Sequence, residues 1–319
     1  MPLNAAALDA VKTSIDGRFN DRIAELHKNE PWTSELVDPI TMTKPIVDFG
    51  WLGYPGAVRE WKDTRSTRKL RADHYLIATR EWENSIQIKG TDLRDYGIEP
   101  YNKRIDALAE SFVAHGEKLI VEALLAGFIT TSDFGACFDN TAFFNHVHPL
   151  ADGGTSTYND NLMHHTLDDA GALDDAVLLM RSLKCDDLSP ANVVPDQATL
   201  LVGPALEATA RALVMDQYLT GGASNPNYGR FKLRVSNYIV SGLVGGSTGT
   251  TTGNEWFVID QSGSCKPVFK ATLEDVWTDM VGVGSDDHFA TRTHKYGGGA
   301  SYNVAYAFYQ KVIGSDGTV

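Results

Sequence analysis

The chain has 319 residues, of which 43% are hydrophobic and 22% are charged, a balance typical of a folded protein with one large core or two modest ones. No run of about 18 apolar residues occurs, and Asp9 and Lys12 interrupt the apolar pattern near the start. We therefore expect neither a membrane span nor a signal peptide, and a cytosol-like compartment. The net charge of -13, from 28 basic and 41 acidic residues, argues against a protein that reads DNA sequence. Three widely separated cysteines without a CxxC motif argue against a disulfide framework or a zinc ribbon.

The first fifty residues are predicted to form a helix and then an extended arm. Residues 5–28 place apolar side chains at helical spacing. Pro31, Pro39 and Pro45 exclude a helix from the next segment, which alternates like an extended chain up to residue 50. Because no partner strand adjoins this segment in the sequence, we expect the arm to lie on another subunit. Its candidate contact residues are Trp32 and Phe49.

A basic segment, residues 59–71, lies inside a predicted hairpin from Tyr54 to Ile88. The alternation that begins at Trp82 indicates a return strand, for which residues 57–62 are the expected partner. Six cations occupy thirteen positions of the basic segment. We interpret this segment as a contact surface for an acidic partner, such as another copy of this acidic chain, rather than as a solvated loop. The candidate contact residues of the hairpin are Arg59, Trp61, Lys62, Arg65, Arg68, Lys69, Arg71 and Trp82.

A long amphipathic helix is predicted from Glu99 to Phe128. Pro100 is compatible with its first turn, and Gly127 is expected to end it with a positive φ. About 28 residues at 1.5 Å each give a rod of roughly 42 Å, long enough to span a domain. Its apolar residues, three and four positions apart, are Ile105, Leu108, Ala109, Phe112, Leu119, Ile120, Ala123 and Leu124.

The chain from Thr166 to Asp260 is predicted to form a mixed α/β domain. Thr166 has the pattern of a helix cap, residues 198–203 that of a short buried strand, and Pro204 that of the first residue of a second helix. Residues 241–254 read as a polar linker. Because no Lys-Ser or Lys-Thr pair follows these glycines, a Walker-type phosphate loop is not predicted. The remaining residues have strand composition.

The histidines of the FFNHVHP stretch are the candidate metal ligands. His146 and His148 would lie on one face of a strand, and His164 and His165 follow downstream. No HExxH pattern accompanies them. We therefore expect hydrogen-bonded histidines in a polar turn, with no metal, no cofactor and no catalytic residue. A metal-dependent hydrolase that uses His146 and His148 is the alternative from another functional class.

Several short motifs occur in a characteristic order along the chain. They are FGWLG at 49–53, REW at 59–61, REWE at 80–83, YGI at 96–98, AGF at 126–128, FF at 143–144, HP at 148–149, WFVID at 256–260, KP at 266–267 and KYG at 295–297. Together they resemble the Mu-type tailed-phage major head (capsid) protein family, whose members adopt the Hong Kong ninety-seven capsid fold.

The resemblance implies an α+β chain made of four parts. These are an N-terminal arm (1–50), an extended hairpin loop (51–97), a peripheral domain with a long spine helix (98–165 and 262–319) and an axial α/β domain (166–261). The Lys–Asn cross-link of some relatives is not predicted, because the acceptor cannot be placed.

The resemblance also implies a structural function without catalysis. The chain would be a major capsid protein that self-assembles, through hexamers and pentamers, into an icosahedral head around non-specifically packaged double-stranded DNA. Its further partners would be a separate scaffold protein, a portal and a decoration protein, with no membrane. It would reside in the virion, and in the host cytoplasm during assembly. An encapsulin-like nanocompartment shell is the alternative with the same fold.

Overall fold

The computed structural model describes residues 5–28, 32–50, 58, 60, 74–150, 158–168, 170–219, 221–242, 251–281 and 292–318. The helices in these ranges are α1 (Ala5–Lys28), α2 (Gly90–Tyr96), α3 (Asn102–Ala126), α4 (Ala170–Ser182) and α5 (Glu207–Val214). The strands are β1 (Val37–Thr41), β2 (Ile46–Phe49), β3 (Tyr75–Ala78), β4 (Arg80–Lys89), β5 (His148–Pro149), β6 (Tyr158–Asn159), β7 (Leu162–Met163), β8 (Thr199–Val202), β9 (Lys232–Val235), β10 (Trp256–Ile259), β11 (Val268–Val281), β12 (Thr293–Tyr306) and β13 (Val312–Ser315). None of the helices in the described ranges is long and apolar enough to cross a lipid bilayer.

The predicted long helix is confirmed as α3, which follows a 3₁₀ turn at Glu99–Tyr101. All eight residues of its predicted apolar stripe are buried. The end of the helix differs from the prediction, because Gly127 has a φ of -65° rather than a positive φ. A Cβ at Gly127 would lie 2.9 Å from the ring of Phe144. Glycine is therefore required here for close packing, and not for an unusual backbone conformation.

A four-stranded sheet in the order β1-β11-β12-β4 lies against α3. β1 runs parallel to β11, and the other neighbours are antiparallel. β4 pairs with β12 from Lys89 opposite Thr293 to Arg80 opposite Tyr302. Residues 57–62, the predicted partner, lie largely outside the described residues. The partner strand of β4 is β12, which lies more than 200 residues away in the sequence, and the local sequence cannot reveal such a partner.

The basic segment is flanked by a different pair of strands. β2 and β3 pair antiparallel, with Ile46 opposite Ala78 and Phe49 opposite Tyr75. They lie on either side of residues 51–73, most of which are outside the described residues. The ribbon that leads into the predicted hairpin is thus made of β2 and β3.

The predicted N-terminal arm packs on its own chain. Phe19 of α1 is fully buried and meets the rings of Phe112 and Tyr296 edge to face, at centroid distances of 6.2 and 6.3 Å. Arg18 Nε also donates to Asp106 on α3 at 2.7 Å. β1 and β2 find their partner strands in this chain, as described above. The expectation that the segment lacks a partner strand is therefore wrong, because its partners are distant in sequence.

A second, five-stranded sheet has the order β7-β13-β10-β8-β9. The predicted strand at 198–203 and the helix opened by Pro204 are confirmed as β8 and as a 3₁₀ turn followed by α5. Thr166 does not cap α4; its hydroxyl donates to Asp168 instead. β13 pairs with β10 and with β7, so the C-terminal strand belongs to this sheet. The expected axial segment (166–261) therefore shares its sheet with strands from both flanking segments.

Candidate inter-subunit surface

The face of the four-stranded sheet that points away from α3 carries a row of small residues. Side chains alternate along β12, so Tyr296 and Tyr302 point toward the helices, as their contacts with α1 and α3 show. Gly297, Gly299 and Ser301 then share the opposite face. Gly299 lies opposite Trp277 on one side and Glu83 on the other.

Trp277 lies flat on this row. A Cβ at Gly299 would be 2.5 Å from Cζ2 of the indole, so only glycine allows the ring to approach the strand so closely. The side of the ring away from the sheet is open, because Trp277 is 53% exposed. An exposed tryptophan held in a fixed position by a backbone is typical of an interface anchor.

Carboxylates surround the tryptophan. Glu81 and Glu83 are exposed on the same face of β4 and form no ion pair with the described residues. Asp279 projects at the edge, where Lys12 Nζ donates to it at 3.1 Å. That hydrogen bond lowers the pKa of the Asp279 carboxyl. We call Trp277, Glu81 and Glu83 the Trp277 face; it presents an aromatic ring beside unpaired negative charge.

Three of the ten predicted contact residues are among the described residues, and each packs on its own chain. Trp82 Nε1 donates to the carbonyl oxygen of Tyr302 at 2.9 Å. Phe49 stacks on Phe269 at 5.9 Å, and Trp32 is half-buried against the core. The other seven lie outside the described residues: Arg59, Trp61, Lys62, Arg65, Arg68, Lys69 and Arg71. An inter-subunit role for the ten residues stays a prediction.

The Trp277 face was not predicted from the sequence. Its signal was the run Gly297, Gly298 and Gly299 within a strand, since consecutive glycines in a strand mark a close approach by another group. These glycines lie next to Trp277 because β11 pairs with β12, and the local sequence does not show this pairing.

The structure separates the two candidate metal-binding histidines. His148 is fully buried, with Nδ1 at 2.6 Å from Asp139 and Nε2 at 3.1 Å from the side-chain oxygen of Asn161. Burial raises the pKa of the Asp139 carboxyl, but the hydrogen bonds from His148 and Thr141 outweigh it and hold that pKa below its usual value. His146 is half-exposed and pairs with Asp160. The hydrolase site proposed for His146 and His148 is therefore not formed, because both nitrogens of His148 are already engaged.

The family model described as "Mu-like prophage major head subunit gpT" matches residues 8–170 and 161–239. The chain belongs to this family. The match takes in helices α1 to α5 and strands β1 to β9, and it ends before β10.

Two curated members of the Mu-like head subunits are similar to parts of the chain. The Mu-like prophage FluMu major head subunit of Haemophilus influenzae is 27% identical over 166 residues, 51% of each protein. The major capsid protein of Escherichia phage Mu is 28% identical over 162 residues, 50% of each protein. The chain thus spans about half the length of the curated relatives it matches.

A solved structure supports the predicted fold. The procapsid of bacteriophage JBD30 superposes with a TM-score of 0.61 at 19% identity, over 98% of this chain and 76% of that chain. At this identity the likeness establishes the fold alone. The predicted α+β capsid fold of the Hong Kong ninety-seven type is confirmed.

Proposed function

We propose that this chain is a major capsid protein that self-assembles into the icosahedral head of a tailed phage and encloses double-stranded DNA. Membership of the Mu-like major head subunit family is the observation that supports it most. The role is structural and needs no catalytic residue. The protein would reside in the virion and assemble in the host cytoplasm.

Assembly of such a shell depends on many modest contacts. Copies of the chain would form hexamers and pentamers through head-to-tail interfaces that close into rings. Each contact can be weak, because simultaneous engagement of many sites stabilises the closed shell. A separate scaffold protein, a portal and a decoration protein are the further partners that we propose, and packaged DNA would be held without sequence specificity.

The Trp277 face supports a specific pairing between copies. Its ring and carboxylates are exposed, whereas residues 59–71 of the same sequence carry six cations. A guanidinium stacked on an indole contributes about 0.5–1 kcal/mol when exposed and more when it is desolvated. We propose that the basic segment of one copy lies on the Trp277 face of a neighbour. Charge complementarity of this kind sets register and association rate more than affinity.

Electron microscopy of the purified protein tests the function itself. Rings, tubes or closed shells are expected at low salt or with the scaffold protein. A protein that sediments only as a monomer under all these conditions would contradict the proposal. Shells that copurify with an enzyme cargo and hold no DNA in infected or induced cells would favour the nanocompartment alternative instead.

Charge reversal tests the pairing. Reversal of Arg65, Arg68 and Lys69 to Glu should block assembly and leave the monomer folded, since exposed charges contribute little to stability. Reversal of Glu81 and Glu83 to Lys should block it in the same way.

The decisive variant combines the two reversals, and assembly should be partly restored because the charges are again complementary. The matched control is Asp175→Lys with Asp216→Lys, two exposed carboxylates outside the four-stranded sheet, and it should assemble. Normal particles from both reversed variants would refute the pairing while leaving the capsid function intact.

A further inference from the structure

Two imidazole rings that are 18 residues apart in the sequence lie side by side, next to the C-terminal strand β13. His146 precedes β5, and His164 directly follows β7. Their ring centroids are 5.1 Å apart. Parallel pairing of β7 with β13 fixes this arrangement, because it places His164 beside Asp316, the first residue after β13.

Each ring is held by its own carboxylate in the same way. Nδ1 of His146 is 3.0 Å from Oδ2 of Asp160, and Nδ1 of His164 is 2.7 Å from Oδ2 of Asp316. The second oxygen of each carboxylate accepts a backbone N–H two residues later, from Leu162 and Thr318, both at 3.0 Å. The backbone N–H groups therefore hold each carboxylate in place independently of its histidine.

This hydrogen bonding determines which ring nitrogen is free. A carboxylate accepts a hydrogen bond from Nδ1–H, so the lone pair of a neutral imidazole is left on Nε2. Asp316 Oδ1 also accepts the hydroxyl of Thr318 at 2.8 Å, which fixes this carboxylate further. No described residue forms a hydrogen bond with Nε2 of His146 or His164, and the two side chains are 48% and 49% exposed.

The spacing of the rings matches that of two ligands on one metal ion. With metal–nitrogen bonds of about 2.0–2.1 Å and a tetrahedral angle at the metal, the centroids of two imidazoles lie about 5 Å apart. A histidine that binds a metal ion through one ring nitrogen commonly donates the N–H of the other nitrogen to a carboxylate. This hydrogen bond fixes the orientation of the ring and raises the basicity of the nitrogen that binds the metal. Asp160 and Asp316 are placed for that role.

We propose that His146 and His164 form a two-histidine site for a transition-metal ion such as Zn²⁺, oriented by Asp160 and Asp316. Imidazole ligands favour Zn²⁺, Ni²⁺ and Cu²⁺ over Mg²⁺ and Ca²⁺. No group of three or more His, Cys, Asp or Glu side chains in the described ranges is placed to hold a metal ion. With two protein ligands among the described residues, we expect binding to be reversible rather than a condition of folding. The site differs from the sequence-based expectation that no metal is bound.

Titration with Zn²⁺ alone tests the site. The 319-residue protein is freed of metal with a chelator and then titrated in competition with a chromophoric zinc indicator. About one Zn²⁺ per chain is expected, and His146→Ala and His164→Ala should each weaken binding by about tenfold or more. His165→Ala is the matched control, since this neighbouring histidine is exposed and outside the pair; its binding should be unchanged.

Two further measurements separate ligands from positioning residues. Asp316→Asn should weaken binding about 10–100-fold with both rings present, because an amide can donate to Nδ1 and move the proton to Nε2. The electron paramagnetic resonance spectrum of the Cu²⁺-loaded protein should show two coupled imidazole nitrogens. Fewer than two nitrogens, or equal Zn²⁺ binding by His146→Ala, His164→Ala and the unmodified protein, would overturn the proposal.

Discussion

A buried ion pair between Lys311 and Asp260 offers a sharp test of how the C-terminal strand is held. Lys311 Nζ donates to Asp260 Oδ2 at 2.8 Å and to the carbonyl oxygen of Asn192 at 2.9 Å. The two side chains are 2% and 1% exposed. Asp260 also accepts the backbone N–H groups of Val194 and Ser262. The substitution Lys311→Met keeps most of the length of the side chain and removes its charge.

We expect Lys311→Met to lower the free energy of unfolding by about 3–5 kcal/mol, the usual cost of leaving one buried charge uncompensated. The reference is the double variant Lys311→Met with Asp260→Leu, which removes both charges. It should recover part of the loss, because it removes the unpaired charge but leaves the Val194 and Ser262 N–H groups without their acceptor. Urea unfolding of unassembled protein, followed by circular dichroism, measures all three proteins.

The same pair predicts a pH dependence. Burial raises the pKa of Asp260, but the hydrogen bonds from Lys311, Ser262 and Val194 outweigh it and hold the pKa below its ordinary value. A carboxyl group whose pKa is lowered by folding stabilises the folded state at pH values above its unfolded-state pKa of about 3.9. This stabilisation is lost as the pH falls through the folded-state pKa. The difference between the unmodified protein and Lys311→Met should therefore be largest near neutral pH and shrink in acid. A loss below about 1 kcal/mol at neutral pH, or a difference that does not change with pH, would refute the reasoning.

Three other substitutions test the helical layer by the same urea measurement. Phe19→Ala should lower the free energy of unfolding by about 3–5 kcal/mol, because the ring is fully buried between α3 and β12. The exposed control Asp21→Ala should change it by less than about 0.5 kcal/mol. Equal effects of the two substitutions would show that α1 does not pack on α3 and β12. Gly116→Ala should stabilise α3 by about 0.5–1 kcal/mol, since the new Cβ meets its nearest neighbour at 3.7 Å. Gly127→Ala should instead cost about 1–3 kcal/mol through its clash with Phe144, and a stabilising effect there would mean that the ring moves away freely.

The pairing that we propose between the Trp277 face and the basic segment would give the capsid function a local mechanism. Each alone is an ordinary surface feature: one exposed tryptophan beside two carboxylates, and one run of cations. Their opposite charge on copies of one chain is what makes them complementary. The two-histidine site lies on the other sheet, so its test is independent of assembly.

Several features could be predicted from the sequence because they depend on neighbours in the chain. The apolar stripe of α3 recurs every three or four residues, and this spacing alone specifies a helix and its buried face. The helical spacing of apolar residues in 5–28 likewise predicted the helix α1. The ordered short motifs indicated the capsid family, which the family model confirms.

Tertiary structure decided which elements meet, because pairing across long separations leaves no local pattern. β4 pairs with β12, and β13 joins the five-stranded sheet through β10. The same long-range pairing assembles both proposed sites. It lays Trp277 on Gly299, and it brings His164 to Asp316 beside His146. The sequence by itself determined the helices and the family; the partners of β4, β11 and β13 and the pairing of His164 with Asp316 join residues far apart in the sequence, so only the folded chain determined them.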